Sequence, residues 1–287
     1  MGYEALKDVR CPQCGSWERT QIVREGDSGV VRCAKCHLMF SSPQRSYGEQ
    51  SAFFKNEYNP SSPQAQYSES TARARRYVFK TTSMLPSRQG KWLDVGCGAG
   101  VLLSEVEKAG CAASGFEVHA PYERVCGGKP GWDVRFGEAL ASAGFASKAF
   151  DVVSVIDTLN YIADPIGELR VINGLLRDDG ILLCVVPNSP YLLFKNTGIL
   201  ALLRWGTWSH MHTREYLIHF TSRSLRRALE SAGFTVIKED MGEPWIKGNA
   251  MQRLTKRTWF LIAKQLNCFG IKLGVRIDVW AKKTEFV

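Results

Sequence analysis

The run Trp92-Leu93-Asp94-Val95-Gly96-Cys97-Gly98-Ala99-Gly100 passes from an apolar strand through an acid into a turn with glycine at every second position. A helix begins near Val101. Few folds tolerate that order. Alternating glycines allow a sharp bend and leave main chain bare of Cβ atoms, so a ligand can lie directly on the backbone. The spacing is G-x-G-x-G, which sets it apart from the dinucleotide fingerprint G-x-G-x-x-G and argues against a nicotinamide dehydrogenase.

The second constraint lies at the amino terminus. Cys11-Pro12-Gln13-Cys14 and Cys33-Ala34-Lys35-Cys36 form two C-x2-C pairs with 18 residues between them. Each pair makes a knuckle whose thiolates point at one ion, and two knuckles close a tetrahedral sulfur site of the structural zinc type. Thr20 to Arg24 and Gly29 to Arg32 alternate apolar and polar residues and read as a hairpin joining the knuckles, a zinc ribbon. Some forty residues bury too little surface to fold unaided, so metal binding supplies their stability. With cysteine at Cys11, Cys14, Cys33 and Cys36, no coordination position is left for water, and a catalytic role for the ion is excluded. The ribbon is assigned to residues 1–45. Residues 46–88 form a linker, rich in proline and serine, and a helix over Glu69 to Leu85. The remainder, 89–287, forms the main domain.

Beyond Lys91 the pattern alternates strand and helix, which predicts an α/β fold with a doubly wound, mostly parallel, Rossmann-like sheet of seven strands. The strands are expected at 91–95, 113–117, 133–136, 150–156, 180–186, 235–239 and 275–280. Asp164-Pro165 is an N-cap followed by proline at N1 and starts a helix to about Arg177. Thr221 caps another helix, which Gly233 stops. Ligands of such folds sit beyond the carboxyl ends of the strands. The candidate site residues there are Asp94, Gly96, Cys97, Gly98 and Gly100 after the first strand, Glu117 and Val118 after the second, Glu138 and Ala139 after the third, and Asp157, Thr158 and Asn160 after the fourth. A carboxylate at Glu117 is placed to accept hydrogen bonds from both hydroxyls of a ribose.

The strand-one motif, with Asp94, Gly96, Gly98 and Gly100, resembles the D/E-x-G-x-G-x-G signature of class I S-adenosylmethionine-dependent methyltransferases, over about Lys91 to Gly233. The ribbon is similar to one found ahead of bacterial small-molecule methyltransferases, C-P-x-C-G…C-x-x-C-x-L-x-F-x-x-P, here Cys11 to Gly15 and Cys33 to Pro43. The resemblance implies S-adenosylmethionine as cofactor beside a structural zinc ion, adenine resting near Glu138 and Ala139, and the methionine part and acceptor facing Asp157 and Thr158. Two family motifs are altered. Leu-Glu-His-Val-x-Asp-Pro appears as Leu159-Asn160-Tyr161-Ile162-Ala163-Asp164-Pro165, and Glu-His-x-x-x-Phe-Thr as Glu215-Tyr216-Leu217-Ile218-His219-Phe220-Thr221. Tyrosine replaces histidine in both.

The sulfonium methyl is already electrophilic, so such an enzyme chiefly aligns the acceptor; a base is needed only where a hydroxyl or carbon acid must lose a proton. Residues 188–220 read as a lid insertion rich in aromatics and histidine. His219 is the expected general base, with His212 and Tyr161 as the other candidates. The implied activity is methyl transfer to oxygen or carbon of a small molecule such as a sugar or quinone. The alternatives are an RNA methyltransferase that grips its substrate with the ribbon, and a scaffold that keeps the fold without catalysis. The net charge of +9 suits an anionic partner. The basic clusters are not interleaved with aromatics as a nucleic-acid groove is, which favours the small molecule. The amino terminus lacks an apolar leader core, and the apolar stretch from Tyr191 to Trp205 is broken by Lys195 and Arg204. Nine cysteines, five of them outside the paired pattern, fit a reducing compartment. A cytoplasmic protein is expected.

Overall fold

The computed structural model describes residues 6–45, 63–87, 89–197, 211, 213, 215–242, 250–268, 272, 274 and 275–284. The ribbon contributes β1 (Arg19–Glu25), β2 (Ser28–Cys33) and β3 (Met39–Ser41), after which comes helix α1 (Pro63–Thr82). The main domain opens with β4 (Lys91–Val95), α2 (Val101–Lys108), β5 (Ala112–Glu117), the short α3 (Glu123–Cys126), β6 (Trp132–Phe136) and β7 (Phe150–Ile156). It continues with α4 (Pro165–Leu175), β8 (Leu176–Pro187), α5 (Ser189–Thr197), β9 (Ile218–His219), α6 (Ser222–Ser231), β10 (Phe234–Gly242), α7 (Ala250–Cys268) and β11 (Arg276–Lys283).

The seven-stranded sheet runs β10-β11-β8-β7-β4-β5-β6. Neighbours from β8 through β6 pair in parallel, and β11 is inserted antiparallel between β8 and β10. Period-two alternation sorts the central strands onto two cores. Along β8, Leu182, Cys184 and Val186 join one core with Ile166, Leu169 and Ile172 of α4 and Leu225 and Leu229 of α6. Ile181, Leu183 and Val185 join the other with Ala74, Tyr77 and Val78 of α1 and Leu102, Leu103 and Val106 of α2. Both faces are covered, which is why these strands read as nearly continuous apolar runs.

Several expectations are adjusted. The helix expected to reach Arg177 ends at Leu175, because the backbone is already extended at Leu176, where it pairs with Phe150. The helix expected over 69–85 begins at Pro63 and ends at Thr82. A 19-residue helix, α7, was not foreseen between the last two strands. The ribbon has the expected hairpin, but its sheet is four-stranded, β1-β2-β3-β9, and its last strand comes from the segment before α6. Residues 198–210 of the expected lid, and His212 with them, lie outside the described residues. Among the described residues no helix is long and apolar enough to cross a membrane.

Candidate active site

The crevice forms where β4, β5 and β7 end side by side. Gly96, Gly98 and Gly100 all have positive φ, at 77°, 52° and 72°. They serve different ends. A Cβ on Gly96 would fall 2.3 Å from Thr158 Oγ1, and one on Gly100 2.4 Å from the Trp132 ring. Those two glycines let the loop pack. A Cβ on Gly98 would meet nothing nearer than the Tyr122 ring at 3.8 Å, so the side of the main chain where its Cβ would stand is open, while its N–H and carbonyl are held by Glu117 and Cys126. Gly100 also caps α2 and brings no side-chain acceptor to the first amides of that helix.

Glu117 fastens the loop to the next strand. Its Oε2 accepts from Gly98 N at 2.8 Å, while Oε1 accepts from Val118 N at 2.9 Å and His119 N at 2.8 Å. Burial pushes its carboxyl above the ordinary range, and those three amides pull the other way. A carboxylate offers about four lone-pair sites, so capacity remains for further donors. Gly137 N donates to Glu117 O, which draws the loop carrying exposed Glu138 and Ala139 to the tip of β5.

Asp94 lies one layer below, only 4% exposed. Trp92 Nε1 donates to Ser154 Oγ at 2.8 Å, and that hydroxyl donates to Asp94 Oδ1 at 2.6 Å. Burial raises the Asp94 carboxyl to about 7; the Ser154 hydrogen bond opposes the shift and the Glu117 charge adds to it. A folded-state value above the unfolded one means that the unfolded chain releases its proton first as pH rises. Ionisation of Asp94 therefore lowers stability from about pH 4 to pH 7, by at most ~4 kcal/mol at ~1.36 kcal/mol for each pKa unit. Asp94→Asn is expected to match the ligand-free wild type near pH 4, to exceed it increasingly up to pH 7, and to keep a constant lead above that. Urea melts across this range check it, and a lead that is flat with pH would refute it.

Cys97 shares the loop but turns away from the crevice. Its sulfur packs where a Gly115 Cβ would lie, and its amide donates to Phe116 O at 3.1 Å. The neighbouring Cys126 thiol and burial hold it well above the ordinary thiol range, so it is unreactive. Of this residue only the backbone faces the open side of the turn.

On the far side, Asp157 has φ 52° and is gripped by two arginines. Its Oδ2 lies 3.0 Å from Arg73 Nη1 of α1, and its Oδ1 2.8 Å from Arg276 Nε of β11. Burial alone would raise this carboxyl, but the charges of Arg276 and Arg73 outweigh it and hold it below the usual range. The arginines were missed as site residues. Arg73 was visible only as one of a basic cluster, and no sequence signal links it to residues 84 and 203 positions away. Thr158 Oγ1 donates to Ile156 O and rests against Gly96. The two tyrosines that replace family histidines meet: Tyr161 and Tyr216 stand 5.2 Å apart at 78°. His219 lies apart from the crevice, 1% exposed, with Nε2 3.0 Å from Ser41 Oγ of the ribbon.

In the ribbon the four cysteine sulfurs lie within 4.8 Å of one another, with Cys11–Cys36 at 3.4 Å and Cys14–Cys33 at 3.5 Å. Four thiolates ~2.3 Å from a zinc ion stand ~3.8 Å apart, so the donor set and its spacing fit that ion.

A glycine turn left bare beside an acid, on a sheet of this strand order, defines the class of S-adenosylmethionine-dependent methyltransferases. Residues 65–239 match the methyltransferase domain family, and the chain belongs to it. The ubiquinone biosynthesis O-methyltransferase of Dinoroseobacter shibae is 26% identical over 212 residues, covering 71% of this chain and 80% of that protein. The protein of the same name from Ruegeria pomeroyi is 28% identical over 156 residues, covering 50% of this chain and 62% of its own length, less than two thirds. Among solved structures, the Burkholderia thailandensis 1,6-didemethyltoxoflavin-N1-methyltransferase, with its substrate and S-adenosylhomocysteine bound, covers 93% of this chain and 100% of its own at TM-score 0.53 and 17% identity, a likeness of fold.

Proposed function

We propose that this chain methylates an oxygen of a small hydroxylated acceptor, with S-adenosylmethionine held on the glycine loop after β4 and zinc held by Cys11, Cys14, Cys33 and Cys36. The observation that carries the reading is the open main chain at Gly98, pinned to Glu117 with carboxylate capacity to spare. The name shared by the two bacterial relatives supports oxygen, rather than carbon, as the acceptor atom.

When bound, the cofactor supplies an electrophilic methyl group. The chain's residues do the rest. Glu117 takes the ribose hydroxyls, Asp94 and the Cys97–Ala99 main chain line the loop side, and Val118, Glu138 and Ala139 border the adenine. Thr158, Asp157 and Tyr161 face the acceptor. Asp157 is spent on Arg73 and Arg276, which leaves it a poor proton acceptor; the two guanidinium groups outnumber it and favour an ionised acceptor oxygen. We assign residues 1–45 to supporting the acceptor side, 46–88 to covering the crevice and 89–287 to catalysis, in a cytoplasmic protein.

Calorimetric titration with S-adenosylhomocysteine, followed by mass analysis of 3,4-dihydroxybenzoate incubated with enzyme and cofactor, tests this reading. Micromolar binding, weakened about 100-fold in Glu117→Ala, is expected from the loss of hydrogen bonds to a charged group. Absence of binding would leave the scaffold reading. The RNA reading has one observation of its own: Trp17 is 52% exposed on the ribbon, with Arg10 and Arg19 at 5.3 and 5.7 Å from its ring. Methylation of RNA in place of the catechol would favour it.

A further inference from the structure

Among the contacts that join the ribbon to the acceptor side, one hydroxyl group bridges two residues of the segment before α6. β3 pairs antiparallel with β9, Met39 opposite His219 and Phe40 opposite Ile218. One residue on, Ser41 N donates to Leu217 O at 2.9 Å, and Ser41 Oγ donates to Tyr216 O at 2.6 Å. The same Oγ lies 3.0 Å from His219 Nε2. Gln44 Nε2 closes the cluster by donating to Ser41 O at 2.7 Å and Leu217 O at 3.4 Å. Ser41, Gln44 and His219 are all buried.

Proton counting fixes the histidine. A serine hydroxyl carries one proton, and a carbonyl oxygen can only accept it. Ser41 therefore spends its proton on Tyr216 O and can only accept from His219, so Nε2 carries a hydrogen. On the other side of the same segment, the Tyr216 ring meets Tyr161, and Leu217 N donates to Asn160 O at 2.9 Å. Tyr161 N in turn donates to Thr158 O, and Thr158 rests on Gly96. An unbroken path of short contacts runs from the ribbon serine to the glycine loop.

We propose that Ser41 and His219 are positioning residues for methyl transfer, a hydroxyl from the amino-terminal module and an interior imidazole that together hold Tyr216, and through it Tyr161, against the acceptor. This rests on the methyltransferase reading above and goes beyond it by giving His219 a role through Tyr216 rather than as a base on the acceptor, and by giving the ribbon a part in the reaction.

Three variants of the full chain separate the roles. In His219→Gln the amide nitrogen takes the place of Nε2 and can still donate to Ser41, but no imidazole remains. His219→Ala and Ser41→Ala remove the hydrogen bond itself. With 3,4-dihydroxybenzoate as probe acceptor, His219→Gln is expected to stay within about threefold of wild type, while His219→Ala and Ser41→Ala raise the acceptor KM about tenfold and leave kcat and S-adenosylhomocysteine affinity within about threefold. Nitrogen-15 histidine spectra should show a hydrogen on His219 Nε2, which needs no turnover to observe. A His219→Gln enzyme as inactive as His219→Ala, an unchanged KM in Ser41→Ala, or the Nδ1–H tautomer would each overturn the assignment. A wild-type chain that fails to bind S-adenosylhomocysteine would instead overturn the methyltransferase reading, and the tautomer would still report on the placement.

Discussion

Gly96→Ala is expected to abolish S-adenosylhomocysteine binding and to lower Tm. The new Cβ would lie 2.3 Å from Thr158 Oγ1, 2.7 Å from its Cγ2 and 3.0 Å from its Cβ. The last of these is fixed to the main chain, so turning the threonine side chain relieves only part of the clash. The φ of 77° adds ~1–2 kcal/mol for any residue with a Cβ. The loop and the tip of β7 must then separate, and the proposed function sets cofactor and acceptor between these two elements. A loss of ~3 kcal/mol corresponds to somewhat more than 100-fold in affinity. Gly98→Ala is the informative contrast. Its φ of 52° carries the same backbone cost, but its Cβ meets nothing nearer than 3.8 Å in the ligand-free chain, so Tm should fall less than at Gly96 while binding still fails, because the methyl group enters the space left for the ligand. The double variant Gly96→Ala with Thr158→Gly should recover part of the lost affinity. Calorimetry and thermal melts of the four proteins decide the matter: tight binding by Gly98→Ala would mean that the ligand does not lie on this turn, and equal Tm losses at Gly96 and Gly98 would mean that the Thr158 clash is not what costs stability.

What could be read in the chain was the chemistry of short stretches. A strand ending in alternating glycines leaves its trace in consecutive residues, because each positive φ selects glycine locally. The Asp164-Pro165 and Thr221 starts were equally local: Asp164 Oδ1 accepts from Gly167 N at 2.9 Å, and Thr221 Oγ1 from Ser224 N at 3.0 Å. The apolar runs of β7 and β8 announced strands covered on both faces. What stayed hidden depends on residues distant in sequence. The Arg73–Asp157–Arg276 cluster joins a helix, a strand tip and an antiparallel strand, and no spacing rule connects them. The β3–β9 pairing involves strands of only three and two residues, too short for a period to register. α7 carries apolar residues on its outward side as well, with Met251, Leu254 and Leu261 more than 60% exposed, which blurs the amphipathic signal. His219 shows the same limit from the other direction. Its residue type suits a base, but burial is a property of the assembled fold, and the ribbon serine that engages it lies 178 residues away.

Removing the metal should cost far more than the ribbon. A free-standing ribbon would unfold on chelation and leave the melt of the main domain untouched. Here Cys11, Val31, Cys33, Leu38 and Phe40 share one core with Leu217, Ile218, Phe220 and Leu225. Arg227 of α6 donates to Cys36 O at 2.9 Å, and Thr213 N to Glu25 Oε2 at 2.9 Å. Without a cation the thiols lose their common partner. Burial pushes Cys11 above the ordinary range and Cys36 up to about 11, while for Cys33 the amides of Cys36 and Lys35 overcome burial and bring it to about 7. Without the metal–sulfur bonds the two knuckles are held only by weak thiol contacts, and metal binding is folding free energy for such a site. If about 3–5 kcal/mol of that is transmitted through the shared core, Tm should drop on the order of 10 °C, at 2–4 °C per kcal/mol for a domain of 150–250 residues. Elemental analysis should find one zinc ion per native chain, released by a strong chelator in step with the Tm loss, and Cys33→Ser should melt like the stripped protein. Because the shared core includes Leu217 and Ile218, the stripped chain should also bind the probe acceptor poorly before it unfolds. A native chain without zinc, or a Tm that ignores its removal, would mean that β3 and β9 hold each other without the cysteine knuckles and that the ribbon is an appendage.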